Sequence, residues 1–187
     1  MANLSYYLMR KWRLWSIALK VTAKLRNKAG RIMEIFSELF NKDLILTNLH
    51  CSSKNDFFEK VSNYLMEKGY VTENFKKAIK EREQKYPTGL RTAPFHVAIP
   101  HTDPENIHTP FIMVVRPDQE IEFVEMGTDD QPVKARFIFV LGLNKSEAQA
   151  PLLQKLIEMF MNSEAMNRIV NENDENKIMD ILKINVA

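Results

Sequence analysis

Cysteine is nearly absent: Cys51 is the only one in 187 residues. An intramolecular disulfide is therefore impossible, and a cysteine-based zinc site is implausible. A reducing, cytoplasmic setting is expected. Glycine is also scarce, at five residues, and with eight prolines the chain is neither collagen-like nor linker-like. Acidic residues are missing altogether from residues 1–33, which hold eight of the 26 Lys and Arg residues (Arg10, Lys11, Arg13, Lys20, Lys24, Arg26, Lys28, Arg31). The other 154 residues then carry 18 basic against 24 acidic side chains, a net of −6 behind an overall charge of +2. A basic arm, 1–33, joins an acidic body, 34–187, and the two are read separately. With 45% hydrophobic and 27% charged residues, the chain can build a core without a staple.

The arm is no membrane span, which needs about 20 mostly apolar residues. Its longest uncharged run near the middle, Leu14 to Leu19, is short for a signal-peptide core of roughly 7–15 residues. Leu4, Leu8, Trp12, Trp15 and Leu19 fall at helical spacing. A helix of that kind could lie on an anionic membrane or touch nucleic acid, although no nucleic-acid-binding module is recognisable. The plainer expectation is an extension outside the functional domain, even an over-long start, because composition changes abruptly at Met33.

The body has no repeat. Asp43 to Leu49 is a short strand-like stretch. Phe57, Phe58, Val61, Tyr64 and Leu65 recur at helical spacing after the polar Ser52–Asn55, and Gly69 closes that helix. Thr72 is the expected cap of a second helix, with Phe75, Ala78 and Ile79 inward, ending before Pro87. Val97–Ile99 is a short buried strand. Phe111–Val115 and Phe137–Leu141 are unbroken apolar runs, which suit strands covered on both faces. A polar stretch separates them. In it, Glu120, Glu122 and Glu125 make a solvated strand or loop face. Helical spacing returns from Glu147, through Leu152, Leu156, Phe160, Met166, Ile169, Ile178 and Leu182. The pattern predicts an α/β fold, a mixed β-sheet flanked by helices on both faces, with the basic helical arm in front.

Four histidines are candidates for chemistry near neutral pH. His50 follows a strand with no partner in view, His96 opens the Val97–Ile99 strand, and His108 lies in a Pro-flanked loop. His101 follows Val97-Ala98-Ile99-Pro100. Proline keeps Ile99 extended and is expected to end ladder pairing. His101 is thereby placed at the carboxyl end of a buried strand, where α/β sheets bind ligands. Upstream, Arg82 ends a helix and offers a planar donor fork suited to phosphate. Pro87-Thr88-Gly89 can expose N–H groups and a hydroxyl, or can simply be a tight turn. Thr102 and Asp103 continue a polar rim. Together these residues could hold an anion.

The string Arg82-Glu83-x-x-Tyr86-Pro87-Thr88-Gly89-Leu90, followed by Val97-Ala98-Ile99-Pro100-His101-Thr102-Asp103, resembles enzyme IIA of the bacterial phosphotransferase system. The likeness is to the fructose/mannitol type, most of all its galactitol-specific branch, and covers about residues 34–185. It implies that His101 is phosphorylated as a tele-phosphohistidine, taking its phosphoryl group from HPr and passing it to a cysteine of enzyme IIB. Enzyme IIC, the membrane component, would recognise the sugar. Arg82 would stabilise the phosphoryl group, with Thr88, Gly89 and Thr102 binding or supporting it. Where mannitol-type members have a second histidine, this chain has Gln149, as galactitol-like members do. Where they have a Glu six residues before the phosphorylated histidine, it has Phe95. No metal or cofactor is implied.

The chemistry is coherent on its own terms. Phosphoryl transfer needs an in-line nucleophile and donors for three equatorial oxygens. The second imidazole nitrogen must be held by an acceptor, for which a carbonyl in the 82–90 turn or another loop qualifies. Cys51 reads as a small buried residue, and the methionines as core filler. Two other functions compete with a phosphoryl carrier. One is a regulatory module whose His101 phosphorylation controls binding to another protein or, through the arm, a membrane. The other is arm-driven nucleic-acid binding, which the acidic body disfavours.

Overall fold

The two unbroken apolar runs become adjacent strands. Phe111–Pro117 (β4) and Phe137–Gly142 (β7) are buried along their whole length and pair antiparallel, with Phe111 opposite Gly142 and Val115 opposite Ile138. Alternate side chains leave opposite faces of a strand, so a strand apolar at every position needs cover on both sides. The computed structural model describes residues 38–143 and 149–186, so readings that fall on the basic arm lie outside the described residues. Phe40–Leu49 (β1) pairs parallel to β4, and Val97–Ala98 (β3) pairs parallel to β7. Gly89–Leu90 (β2) pairs antiparallel to β3 at the edge. The order β1-β4-β7-β3-β2 makes a mixed five-stranded sheet.

The stretch between β4 and β7 is more ordered than a polar loop. Ile121–Val124 (β5) and Pro132–Ala135 (β6) form a separate antiparallel hairpin, with Ile121 and Phe123 inward and Glu122 outward. Three hydrophobic residues in four make β5 a strand despite Glu122 within it and Glu120 and Glu125 beside it.

One face of the sheet is covered by Lys54–Glu67 (α1) and Phe75–Lys85 (α2), whose Phe57, Val61, Leu65, Phe75 and Ile79 share a core with Met113, Val115 and Val140. Ser53 caps α1 by accepting the Asp56 N–H at 3.1 Å. At the other end Gly69 takes φ 76°. Its N–H donates to Met66 and that of Tyr70 to Leu65, both at 3.0 Å. This is the Schellman closure, which needs a left-handed residue and so favours glycine. The expected cap Thr72 is displaced in α2. Asn74 stands at the N-cap without a side-chain bond, and Thr72 serves through its carbonyl, which accepts the Phe75 N–H at 3.1 Å. Its hydroxyl is buried without a partner.

Gln149–Phe160 (α3), Ser163–Asn171 (α4) and Glu175–Val186 (α5) cover the opposite face. Phe160 packs on Phe139 with ring centres 4.6 Å apart, and Ile169 and Ile178 meet Val114 and Phe137. Arg116 of β4 anchors these helices from inside the fold. Its side chain is buried, and Nη1 donates to the carbonyls of Ile169, Val170 and Glu172 at 2.9, 2.7 and 2.8 Å. The cation thus sits on the negative end of α4 and satisfies carbonyls that the helix leaves open.

A second polar lock joins α2 to the edge of the sheet. Glu83 is buried and accepts both the Thr88 N–H at 3.1 Å and the Thr88 hydroxyl at 2.6 Å. Burial pushes its carboxyl above the ordinary value, against the pull of those two donors. Beside it, a Cβ on Gly89 would lie 2.6 Å from the Val124 carbonyl oxygen, so only glycine lets β2 approach the hairpin.

Two predictions arise here. Arg116→Ala should lower the unfolding free energy by about 2–4 kcal/mol in urea titrations, because buried carbonyls lose their donors. Arg116→Lys should recover only part, since an ammonium lacks the fork. An unchanged midpoint for the alanine variant would refute the anchor. For Glu83, a carboxyl raised in the folded chain binds its proton more tightly there than in the unfolded chain. Its contribution is fully present below the unfolded value of about 4.3 and is lost as pH rises through the folded value. Wild-type stability should carry a component falling across that window, and Glu83→Gln should lack it. Urea midpoints of both proteins measured from about pH 4 to about pH 8 test this; parallel profiles would rule it out.

Candidate active site

β3 is clamped from both sides. On one side the Ile99 N–H donates to the Thr88 carbonyl at 3.2 Å. On the other, Val97 and Ala98 pair with Phe137 and Ile138 of β7, and the same register continues to His101 opposite Leu141. Pro100 does not end the pairing, contrary to expectation. Proline lacks a donor but keeps its carbonyl, and that carbonyl accepts the Leu141 N–H at 3.0 Å. His101 is therefore held by the sheet edge itself, at the carboxyl ends of β3 and β7.

The His101 ring is half-buried, with Nδ1 3.0 Å from the Ile99 carbonyl oxygen. A carbonyl only accepts, so this geometry puts the hydrogen on Nδ1 and leaves the lone pair on Nε2. The holding group sits two residues back along the chain, not in the 82–90 turn. That turn contributes indirectly, since the Thr88 carbonyl fixes the peptide of Ile99.

His101 lines a cavity of about 240 Å³ with Arg82, Thr102 and Asp103 as its other polar walls and Pro104, Leu141, Leu143 and Leu153 as apolar ones. Arg82 lies in the last turn of α2, its side chain one-third exposed and stacked over Tyr86 at 5.3 Å. Nη1 donates to Asp103 Oδ1 at 3.1 Å, while the buried Nε has no partner. A guanidinium with an unused buried donor, at the cavity that His101 also lines, suits an anionic group. Thr102 is buried, and its hydroxyl oxygen faces the Asn106 side-chain amide at 3.4 Å, which leaves its own O–H free to donate.

Four of the residues singled out from the sequence, Arg82, His101, Thr102 and Asp103, thus meet at one cavity. Thr88 and Gly89 do not line it. The Thr88 hydroxyl is spent on Glu83, and Gly89 is buried against the hairpin, so both stand behind the site as supports. Gln149 is the first residue of α3, and its side chain lies outside the described residues. Phe95 packs edge-on against Phe137 with centres 5.9 Å apart, an aromatic contact where a carboxylate would be stranded. His96 bonds the Thr92 carbonyl through Nδ1 at 3.1 Å, at the far end of β3. His108 is exposed, its N–H held by Tyr70, and does not line the cavity. His50 pairs with Asp118 at 2.7 Å across the ends of β1 and β4, the opposite edge of the sheet. Burial raises the Cys51 thiol, which makes it a poor nucleophile.

Sequence reasoning gave no role to Glu83, to the Ile99 carbonyl or to the apolar wall. Glu83 stood in the quoted string, but a lone acid in a charged helix end gives no sign of burial. Among the described residues no group of three His, Cys, Asp or Glu side chains could hold a metal, and no helix is long and apolar enough to cross a membrane.

Comparison with known proteins agrees with this architecture. The mannitol-specific phosphotransferase enzyme IIA component of Staphylococcus aureus (strain Mu50 / ATCC 700699) is 29% identical over 152 residues, covering 79% of this chain and 96% of that protein. The galactitol-specific EIIA component of Escherichia coli (strain K12) is 24% identical over 131 residues, covering 67% of this chain and 87% of that protein. Enzyme IIAMTL of Escherichia coli, solved in complex with phosphorylated enzyme IIBMTL, shares the fold with a TM-score of 0.62 at 15% identity, covering 76% of this chain and 96% of that one. The family described as "Phosphoenolpyruvate-dependent sugar phosphotransferase system, EIIA 2" matches residues 38–184. The chain belongs to that family and is a phosphotransferase component, an enzyme IIA of a sugar or polyol system.

Proposed function

We propose that His101 is the phosphoryl acceptor and donor of this enzyme IIA. The observation that carries the reading is the 3.0 Å bond from Nδ1 to the Ile99 carbonyl, which presents Nε2 as the nucleophile. Nε2 attacks the phosphorus of phosphorylated HPr. The N–P bond of the carrier breaks as the new N–P bond forms, giving a tele-phosphohistidine. The phosphoryl group then passes to a cysteine thiolate of enzyme IIB, and the imidazole lone pair is restored. Arg82 and the Thr102 hydroxyl donate to the phosphoryl oxygens, with Leu141, Leu143 and Leu153 in the apolar wall of the cavity. Thr88, Gly89 and Glu83 hold the strand that holds His101. Gln149 can add an amide donor but cannot titrate.

The domain that does this is 34–187, working in the cytoplasm beside the membrane enzyme IIC of the same system. A polyol is the substrate class shared by the mannitol-specific and galactitol-specific relatives. Gln149 supports the galactitol-like reading, while the mannitol-specific relative is the more similar of the two over the longer span.

Incubation with phosphoenolpyruvate, enzyme I and HPr should add one acid-labile phosphate. His101→Ala should accept none, and persistence of the label in that variant would overturn the assignment. Arg82→Ala should slow phosphorylation by about 10²–10³-fold, the usual cost of losing one transition-state donor. Onward transfer to an enzyme IIB separates a carrier from a purely regulatory module.

A further inference from the structure

Arg82 is engaged before any phosphoryl group arrives. Its Nη1 bonds Asp103 Oδ1 at 3.1 Å through a single contact, and the two side chains are 33% and 63% exposed. Its Nε is buried and unsatisfied. Asp103 stands two residues from His101 and lines the same cavity. It occupies the N-cap of the short turn Pro104–Asn106 but makes no capping bond, so its carboxylate has no structural task there. An acid placed beside an anion-binding arginine needs a reason.

We propose that Asp103 is a removable counter-ion for Arg82, a positioning residue that sets how firmly the site holds a phosphoryl group. The proposal rests on the reading of His101 as the phosphoryl acceptor. In the unphosphorylated protein the carboxylate keeps the guanidinium at the cavity. A single-contact, solvent-facing ion pair is weak and exchanges readily. A phosphoryl group carries more charge and three acceptor oxygens, so it displaces the carboxylate from Arg82. The displaced Asp103 stays tethered beside the new anion and repels it. Asp103 therefore opposes the phosphorylated state twice, by competing for Arg82 and by like charge. The phosphoryl group has to leave again, and binding that is equally tight before and during transfer gives no gain in rate.

The test measures phosphoryl exchange between the full chain and HPr in both directions, by quenching mixtures labelled through phosphoenolpyruvate and enzyme I. Asp103→Asn keeps size and helix-capping ability but removes the charge. It should raise the equilibrium phosphorylated fraction, with the exchange constant shifting by roughly 1.5- to fivefold, the range of an exposed ion pair. It should also slow return of the phosphoryl group to HPr. Asp103→Glu should restore near wild-type values, and in an Arg82→Ala background the effect of Asp103→Asn should shrink to the part that like-charge repulsion alone supplies. A purely structural role predicts the opposite pattern: Asn neutral or less phosphorylated, and an effect independent of Arg82. Either result overturns the proposal while leaving His101 as acceptor. Failure of the wild-type protein to take phosphate on His101 would instead remove the reading beneath it.

Discussion

A histidine can offer Nε2 as a nucleophile only while something holds the hydrogen on Nδ1. Here that hold is one 3.0 Å contact to the carbonyl of Ile99, and most of the fold around the site serves to keep that carbonyl still. The Ile99 peptide directly follows a two-residue strand, β3, that could not stand alone. Thr88 fixes it from one side and the Leu141 N–H fixes the next carbonyl from the other. Behind Thr88 lies the buried Glu83 carboxylate, and behind Leu141 lies β7, covered on both faces. Precision at one nitrogen is thus borrowed from the doubly covered centre of the sheet.

The apolar and polar contributions divide the work. Burying one Phe or Ile side chain stabilises by about 1.5–3 kcal/mol, against about 1 kcal/mol net for a hydrogen bond. Cover for β4 and β7 from α1–α5 therefore dominates stability. Apolar contact is non-directional, however, and leaves helices free to slide. Arg116 and Glu83 remove that freedom. One ties the end of α4 to the middle of the sheet, and the other ties the end of α2 to β2. Arg82 follows directly from the second lock, because it is the residue next to Glu83.

The parts legible in the sequence are those written in local pattern. The spacing of Phe57, Phe58, Val61 and Leu65 identifies α1, and Gly69 marks its end. The two unbroken apolar runs identify the doubly covered strands. His101 and Arg82 stand out because residue type and position coincide. What escaped depends on partners distant in sequence or on side-chain direction. Nothing local shows that Thr88 turns its hydroxyl inward to Glu83 or that Pro100 stays in register with β7 through its carbonyl. The β5–β6 hairpin hid behind its glutamates, because two alternating strands of four residues carry too little pattern to stand out from a loop.

Charge shows the same division between whole-chain and local quantities. The body 34–187 is net acidic, yet the cavity at His101 is the proposed place of an anion. At physiological salt the screening length is about 8 Å, so most of those acids act weakly on a group at Nε2. The charges that count are those lining the cavity, a cation with an unused donor and an acid within reach of it. Such a pair leaves the cavity nearly neutral before a phosphoryl group enters. In the proposed role it also limits the attraction afterwards, because the acid cannot diffuse away. A carrier needs this intermediate hold: a cavity lined by arginines alone would keep what it captured, and one without Arg82 would capture little.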